Sequence, residues 1–231
     1  MHEKVALIIP AAGTGSRFNS SGECKKPFTL LKNKPIILHT LERFLDIDTI
    51  VQRVVVVHPD DAASIKQTWG KTFAEAGVTD IVPGGKMRQE SVACGLAALR
   101  PDITIVAVHD AVRPFVSRRA ILESIAKAAE TGAAVVSSKM IATVKRADAA
   151  GRIIETVPRD DLWMAQTPQT FRRDILVAAH QAATRDGIDA TDESYLVERL
   201  GMPVAIVAEE PTNIKITTPG DMKIAEALLE R

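Results

Sequence analysis

Val5-Ala6-Leu7-Ile8-Ile9 runs without a polar break into Pro10-Ala11-Ala12-Gly13-Thr14-Gly15-Ser16-Arg17-Phe18. A continuous apolar run suits a strand buried on both faces, as in a parallel sheet. A small-residue loop at the carboxyl end of such a strand is where open α/β sheets take their ligands. Working outward, similar runs recur at Arg53 to Val57, Thr104 to Val108 and Ala133 to Ser137. Between them lie helical stripes. Ile37, Leu41, Phe44 and Leu45 fall at i, i+4, i+7 and i+8; Val92, Leu96 and Leu99, then Ile121, Ile125 and Ala128, repeat the pattern. Strand and helix alternate, so the first 140 or so residues read as a right-handed βαβ series.

The pattern changes after Lys139. From Thr143 to Glu155 the chain is polar and basic around Gly151, which predicts a hairpin with little core of its own, lying on the domain or reaching a partner subunit. The α/β pattern then returns with a helix over Arg172 to Arg185, a strand over Pro203 to Val207 and a second extended piece over Asn213 to Thr217. Thr218-Pro219-Gly220-Asp221 supplies an N-cap, a proline at N1 and an acidic N3 for a last helix. The expected organisation is one α/β domain over residues 1–231, three-layered with a mostly parallel sheet, carrying a protruding β-arm at 139–155.

Composition narrows the functions. The 231 residues carry 29 Lys+Arg and 29 Asp+Glu, a balance that argues against a general nucleic-acid binder, so any anion site is local. No apolar run reaches the length of a membrane span. Cys24 and Cys94 lie far apart and outside any metal-binding spacing, the pattern of reduced thiols in a cytoplasmic protein.

The loop after the first strand brings backbone N–H groups close to phosphate oxygens, and Arg17 adds a multi-donor cation. Two familiar readings fail. A dinucleotide fingerprint needs a glycine where Phe18 stands and an acid after the second strand, which instead ends in His58-Pro59; a P-loop needs Gly-Lys followed by Ser or Thr. Polar sequence continues instead to Lys25-Lys26-Pro27, where a lysine braced by proline is placed to fold back over a triphosphate. Asp110 closes another strand and has three open roles: accepting ribose hydroxyls, holding a metal or touching a second substrate. Capping a turn is the plain structural alternative. His109 reads as structural, Ser91 as a hydroxyl at a helix start, and Thr191 equally as ligand donor or N-cap.

Pro10-Ala11-Ala12-Gly13-x-Gly15-x-Arg17 with Lys26-Pro27 resembles nucleotidyltransferases that join a nucleoside triphosphate to a phosphorylated sugar or polyol. Gly84-Gly85 with Arg88 and Ser91-Val92, His109-Asp110-Ala111-Val112-Arg113-Pro114, Thr156-Val157-Pro158-Arg159, Trp163-x-Ala165-Gln166-Thr167-Pro168-Gln169 and Asn213-Ile214-Lys215 narrow the likeness. Together, across the whole chain, they resemble the 2-C-methyl-D-erythritol 4-phosphate cytidylyltransferase family of the non-mevalonate isoprenoid pathway. The resemblance implies a Rossmann-like nucleotidyltransferase fold and transfer of CMP from CTP to methylerythritol phosphate, with Mg2+ or another divalent cation. It implies Arg17, Lys26, Arg159 and Lys215 as catalytic residues. Ala11, Ala12, Gly13, Gly15, Gly85, Ser91 and Asp110 are implied at CTP, and Asp110, Arg113, Thr143, Thr167 and Thr191 at the polyol phosphate, with Asp110 also the metal ligand. A homodimer built through the arm follows from the same resemblance. One departure stands out: the family often has an acid before the arm threonine, where this chain has Ala142. Two alternatives remain at this point. A cytidylyltransferase for another polyol phosphate, such as ribitol 5-phosphate, more often opens its loop with Ala-Gly-Gly than with Ala11-Ala12-Gly13. A non-catalytic nucleotide-binding module has no need to keep Arg17, Lys26, Arg159 and Lys215 together.

Overall fold

The computed structural model describes residues 3–13 and 25–230. In chain order the strands are β1 (Val5–Pro10), β2 (Leu30–Leu31), β3 (Lys34–Pro35), β4 (Ile50–Val57), β5 (Asp80–Pro83), β6 (Ile105–Val108), β7 (Ala133–Lys139), β8 (Val144–Ala147), β9 (Ile153–Val157), β10 (Trp163–Arg172) and β11 (Ala205–Ala208). The helices are α1 (Ile36–Glu42), α2 (Ala62–Glu75), α3 (Arg88–Ala97), α4 (Arg118–Thr131), α5 (Arg173–Asp186), α6 (Glu193–Arg199) and α7 (Pro219–Leu228). Seven strands form one sheet in the order β11-β7-β10-β6-β1-β4-β5. Every neighbouring pair runs parallel except those made by β10, which lies antiparallel between β6 and β7.

The strand residues sort by parity, as a pleated strand buried on both faces requires. Val5, Leu7, Ile9, Val55 and Val57 join Ile37 and Leu41 of α1, Phe73 of α2 and Ile121 and Ile125 of α4 in one core. Ala6, Ile8, Val54 and Val56 face the other way, against Val92 and Leu96 of α3, Leu176 and Ala179 of α5 and Leu196 of α6. The result is three layers, helix, sheet and helix. A smaller cluster, Leu31, Ile36, Val112, Ile216 and Ala225, seats α7, whose Thr218–Asp221 capping box forms as the sequence predicts.

Some local expectations change. Helix α1 ends at Glu42, so Phe44 and Leu45 lie beyond it; Phe44 is buried while Leu45 is exposed. Asn213 to Thr217 forms no strand. Strands β5 and β10 and helix α2 lack a clear signal in the sequence pattern. In β10 the polar Gln166, Thr167, Gln169 and Thr170 are buried, so its pairing is maintained by tertiary hydrogen bonds rather than apolar alternation. The arm strands β8 and β9 pair only with each other, antiparallel, outside the main sheet.

Candidate active site

The carboxyl ends of β1, β4, β5 and β6 open onto one cleft of about 350 Å³. Pro10 to Gly13 enter it from β1, His58 from β4, Gly85 to Arg88 and Ser91 from the β5–α3 junction, and Asp110 to Val112 from β6; Lys26, Pro27 and Lys215 complete the lining. Parallel strands aim their following loops to the same edge, which is why residues distant in sequence converge here.

Close packing shapes the wall beside β1. A Cβ on Gly84 would stand 2.6 Å from Ser91 Oγ and 2.9 Å from a Val56 methyl, so only glycine lets the chain turn against β4. Ser91 lies in the first turn of α3 and is not its cap. Its Oγ accepts from the Gly85 N–H at 3.3 Å and donates to the Met87 carbonyl at 3.1 Å. Glu90 closes the same turn by accepting from the Lys86 and Met87 N–H groups. Lys26 opens a short 3-10 turn, Lys26–Phe28. Phe28 packs on Trp69 and Phe73 of α2, with ring centroids 6.1 and 6.3 Å away, and Lys25 pairs with Asp61. The lysine is therefore carried by an anchored turn.

Asp110 is the electrostatic centre. Its Oδ2 accepts from Lys215 Nζ at 3.0 Å and Arg113 Nε at 3.2 Å, and Arg88 Nε stands 3.6 Å from Oδ1. Burial alone raises a carboxyl pKa, but Lys215, Arg88 and Arg113 outweigh it and hold Asp110 well below the usual range. The carboxylate is ionised at neutral pH. Arg113 also donates from Nη1 to the Asn213 carbonyl at 2.8 Å. Asn213 in turn donates to Gln166 and to the Thr167 carbonyl, while the Ile216 N–H bonds the Val112 carbonyl. These bonds place Lys215 without a strand.

Behind Asp110 runs a relay. The Asp110 N–H donates to Thr167 Oγ1 at 3.0 Å, Thr167 Oγ1 lies 3.1 Å from His109 Nδ1, and His109 Nε2 lies 3.0 Å from the Arg113 carbonyl. A carbonyl only accepts, so Nε2 carries the proton and Nδ1 takes the Thr167 hydroxyl hydrogen. Burial pushes His109 down to about 4, keeping that neutral tautomer. His109 is structural, and the Thr167 hydroxyl is spent inside the fold, not offered to the cleft as the sequence reading expected.

Of the sequence-derived residues, Ala11, Ala12, Gly13, Lys26, Gly85, Ser91, Asp110 and Lys215 line this cleft. Arg113 is turned inward on Asp110, with its side chain 12% exposed. Gly15 and Arg17 lie outside the described residues. Thr143 and Arg159 sit exposed at the root of the arm and do not line the cleft of their own chain; Arg159 donates to the Ile141 carbonyl. Thr191 is also exposed outside the cleft, and its N-cap role belongs to Asp192, which accepts from the Tyr195 N–H. The sequence reading gave no role to His58, Lys86, Met87 or Arg88, all of which line the cleft. His58 follows β4, and the strand-end rule that singled out Asp110 applies to it equally.

Asp110 is the one acid among the described residues lining the cleft, and no group of three potential metal ligands occurs among them. Mg2+ usually retains several waters and takes one or two carboxylates beside substrate phosphates. A single carboxylate, Asp110, beside the cationic lining of this cleft fits that donor set. Among the described residues no helix is long and apolar enough to cross a membrane.

The arrangement suits handling of two phosphorylated ligands, and the relatives agree. A family model described as 2-C-methyl-D-erythritol 4-phosphate cytidylyltransferase matches residues 5–231. Proteins of that name from Solibacter usitatus and Pelotomaculum thermopropionicum are each 42% identical, covering 98% and 99% of this chain and 96% and 95% of their own lengths. The crystal structure of 4-diphosphocytidyl-2C-methyl-D-erythritol synthase from Anaerococcus prevotii superposes with a TM-score of 0.84 at 29% identity over the full length of both chains. With the cleft, the cation cluster and the whole-length match in agreement, this chain belongs to the 2-C-methyl-D-erythritol 4-phosphate cytidylyltransferase family.

Proposed function

We propose that the phosphate monoester of 2-C-methyl-D-erythritol 4-phosphate attacks the α-phosphorus of CTP at this cleft. The products are 4-diphosphocytidyl-2-C-methyl-D-erythritol and pyrophosphate. The bond formed joins a monoester oxygen to the α-phosphorus; the bond broken is the α-phosphorus–oxygen link to the β-phosphate, whose electron pair leaves with pyrophosphate. The carrying observation is the convergence of Lys26, Lys215 and Asp110 with the Ala11–Gly13 and Gly85 backbone on one cleft. The nucleophile is already anionic near neutral pH, so the protein's task is alignment and neutralisation of charge rather than base catalysis.

In this reading Ala11, Ala12, Gly85 and Ser91 form the nucleotide wall, and Gly13 with Gly15 meets the triphosphate. Arg17 and Lys26 counter the charge that develops on the α-phosphate. Lys215, held by Asp110, receives the polyol phosphate, and Arg113 and Thr167 act through Asp110. Asp110 and triphosphate oxygens would hold a magnesium ion, which when bound neutralises phosphate charge as a Lewis acid. The arm and Thr191 are assigned to the polyol phosphate, Thr143 and Arg159 coming from a second copy in a two-fold homodimer. What supports that assignment is their exposure outside their own cleft and the exposed Ile141, Ile153 and Ile154 on an otherwise polar arm. A cytoplasmic location belongs to the same proposal and rests on the separated cysteines.

Pyrophosphate release measured across CTP, UTP and ATP, each with methylerythritol phosphate and ribitol 5-phosphate, tests the reading. Turnover is expected with CTP and methylerythritol phosphate and is expected to stop in excess chelator. Equal turnover with all three nucleotides, a preference for ribitol 5-phosphate, or binding without turnover would overturn it.

A further inference from the structure

Glu193, the first residue of α6, carries a carboxylate that is 1% exposed. Both of its oxygens accept from Arg88 Nη1, at 2.8 and 2.7 Å. The same guanidinium presents Nε to Asp110 Oδ1, at 3.6 Å, too long for a hydrogen bond. Arg88 is thus stretched between two carboxylates, bonded to the one remote from the cleft floor and held off the one that carries Lys215. The two loops are bolted together around this link. Gln89 donates to the Ile188 carbonyl and accepts from the Ala190 N–H, and Gln169 accepts from the N–H groups of Glu193 and Ser194 while donating to Asp192.

The charge pattern gives the link a purpose. Arg88, Arg113 and Lys215 face Asp110, and an arginine fork is a stronger carboxylate partner than a lysine ammonium. Without Glu193, Arg88, whose Nε already stands 3.6 Å from Asp110 Oδ1, would be free to turn its donors onto Asp110 and compete with Lys215 for that carboxylate. Lys215, 39% exposed, is the cation of the three that reaches furthest toward solvent. Its orientation is the property at stake.

We propose that Glu193 is a positioning residue for the polyol-phosphate half of the site: it restrains Arg88, so that Asp110 remains the partner of Lys215. This rests on the reading of the cleft given above. Three consequences follow for steady-state kinetics. Glu193→Gln keeps the shape and hydrogen-bonding reach but removes the charge that holds Arg88. It should lower kcat/KM for methylerythritol phosphate by about 10-fold while leaving KM for CTP within about twofold, the size of effect expected for a residue coupled through a contiguous network. Because the damage comes from a released Arg88, adding Arg88→Met should restore most of the loss in the Arg88→Met/Glu193→Gln double variant. Glu193→Asp, which keeps the charge one methylene short, should fall between wild type and Glu193→Gln.

The experiment is the pyrophosphate assay on wild type and these variants with each substrate varied in turn, alongside melting temperatures. Should Glu193→Gln fail to fold, Glu193→Asp and the double variant, which carries no unmatched buried charge at this pair, decide the matter between them. Normal kcat/KM in a folded Glu193→Gln, equal losses for both substrates, or a double variant no better than the single overturns the proposal while the parent reading stands. A wild type that does not turn over CTP and methylerythritol phosphate overturns both.

Discussion

The cleft and the arm are built from the same chain on opposite principles. Asp110 is nearly buried, ringed by three cations and fixed at its backbone N–H by a side-chain relay through Thr167 and His109. The arm residues Ile141, Ile153 and Ile154 are 69%, 65% and 63% exposed, and β8 and β9 bond only to one another. In the cleft the domain's own core sets where each charge stands. On the arm, exposed isoleucines and two site-assigned residues, Thr143 and Arg159, stand away from the cleft of their own chain. The contrast teaches that side chains assigned to one site can stand on the core beneath them or on exposed strands away from it, and that the two leave different signatures in exposure.

The sharpest test of that contrast is removal of a cleft cation. Lys26→Ala and Lys215→Ala are each expected to lower kcat by about 10²–10³-fold, as losing one donor to a developing oxyanion does. Melting temperature should change little for Lys26→Ala, since Lys26 is outside the apolar core, and more for Lys215→Ala, which leaves the buried Asp110 to Arg88 and Arg113. A large thermal shift with near-normal kcat would instead make these residues part of the scaffold.

Next in size is the arm. Ile153→Asp with Ile154→Asp should convert a dimer to a monomer in sedimentation and cost about 10-fold or more in activity, with little loss of monomer stability because exposed positions contribute little to the fold. Wild type that sediments as an active monomer would remove the arm from the site.

Mixing inactive Lys26→Ala and Arg159→Ala chains, refolded together, asks whether the two regions meet across subunits. With a shared site each mixed dimer has one intact site, and random pairing makes half the dimers mixed, so about a quarter of wild-type activity should return. If both residues act within one chain, no activity returns.

The smallest effect is on stability against pH. His109 and His180 are buried and each is lowered to about 4, chiefly by burial and, for His180, with a contribution from Arg88. The unfolded chain binds protons on them from about pH 6.5 downward and the folded chain does not. Their contribution is therefore complete above about pH 6.5 and is lost as pH falls toward 4, by a few kcal/mol between them. Asp110, depressed, adds its own loss only below the ordinary carboxylate range, and Glu193, raised chiefly by burial, acts in the opposite sense as pH rises past that range. Melting temperature should thus fall between pH 6.5 and 4, and His109→Gln should flatten part of the fall. An unchanged slope in that variant would mean His109 is protonated in the fold.

Much of this was legible in residue order. The parity of Val5 to Ile9 and Arg53 to Val57, the stripes of α3 and α4, the Thr218–Asp221 box and the strand-end position of Asp110 depend on neighbours a few residues away, and local periodicity encodes them. The whole-chain motif set pointed to the family. Other features depend on partners far along the chain. Strand β10 is polar and contains Pro168, so no alternation announces it; Gln166 and Thr167 are satisfied by Asn213, Asp110 and His109, between 46 and 58 residues away. Thr167 looked like a ligand donor because a hydroxyl's partner cannot be read from its identity.

Sequence alone determined the layered α/β class, the glycine-lined edge, the polar arm and the family, because apolar period, glycine placement and motif spacing are properties of short segments. Tertiary structure alone decided that Arg88 bridges Asp110 and Glu193, that Arg113 faces inward, that His109 is neutral, and that Thr143 and Arg159 stand apart from their own cleft. Each of these is fixed by a charge or hydrogen-bond partner that only folding brings within about 3–4 Å, the range over which such bonds and ion pairs act.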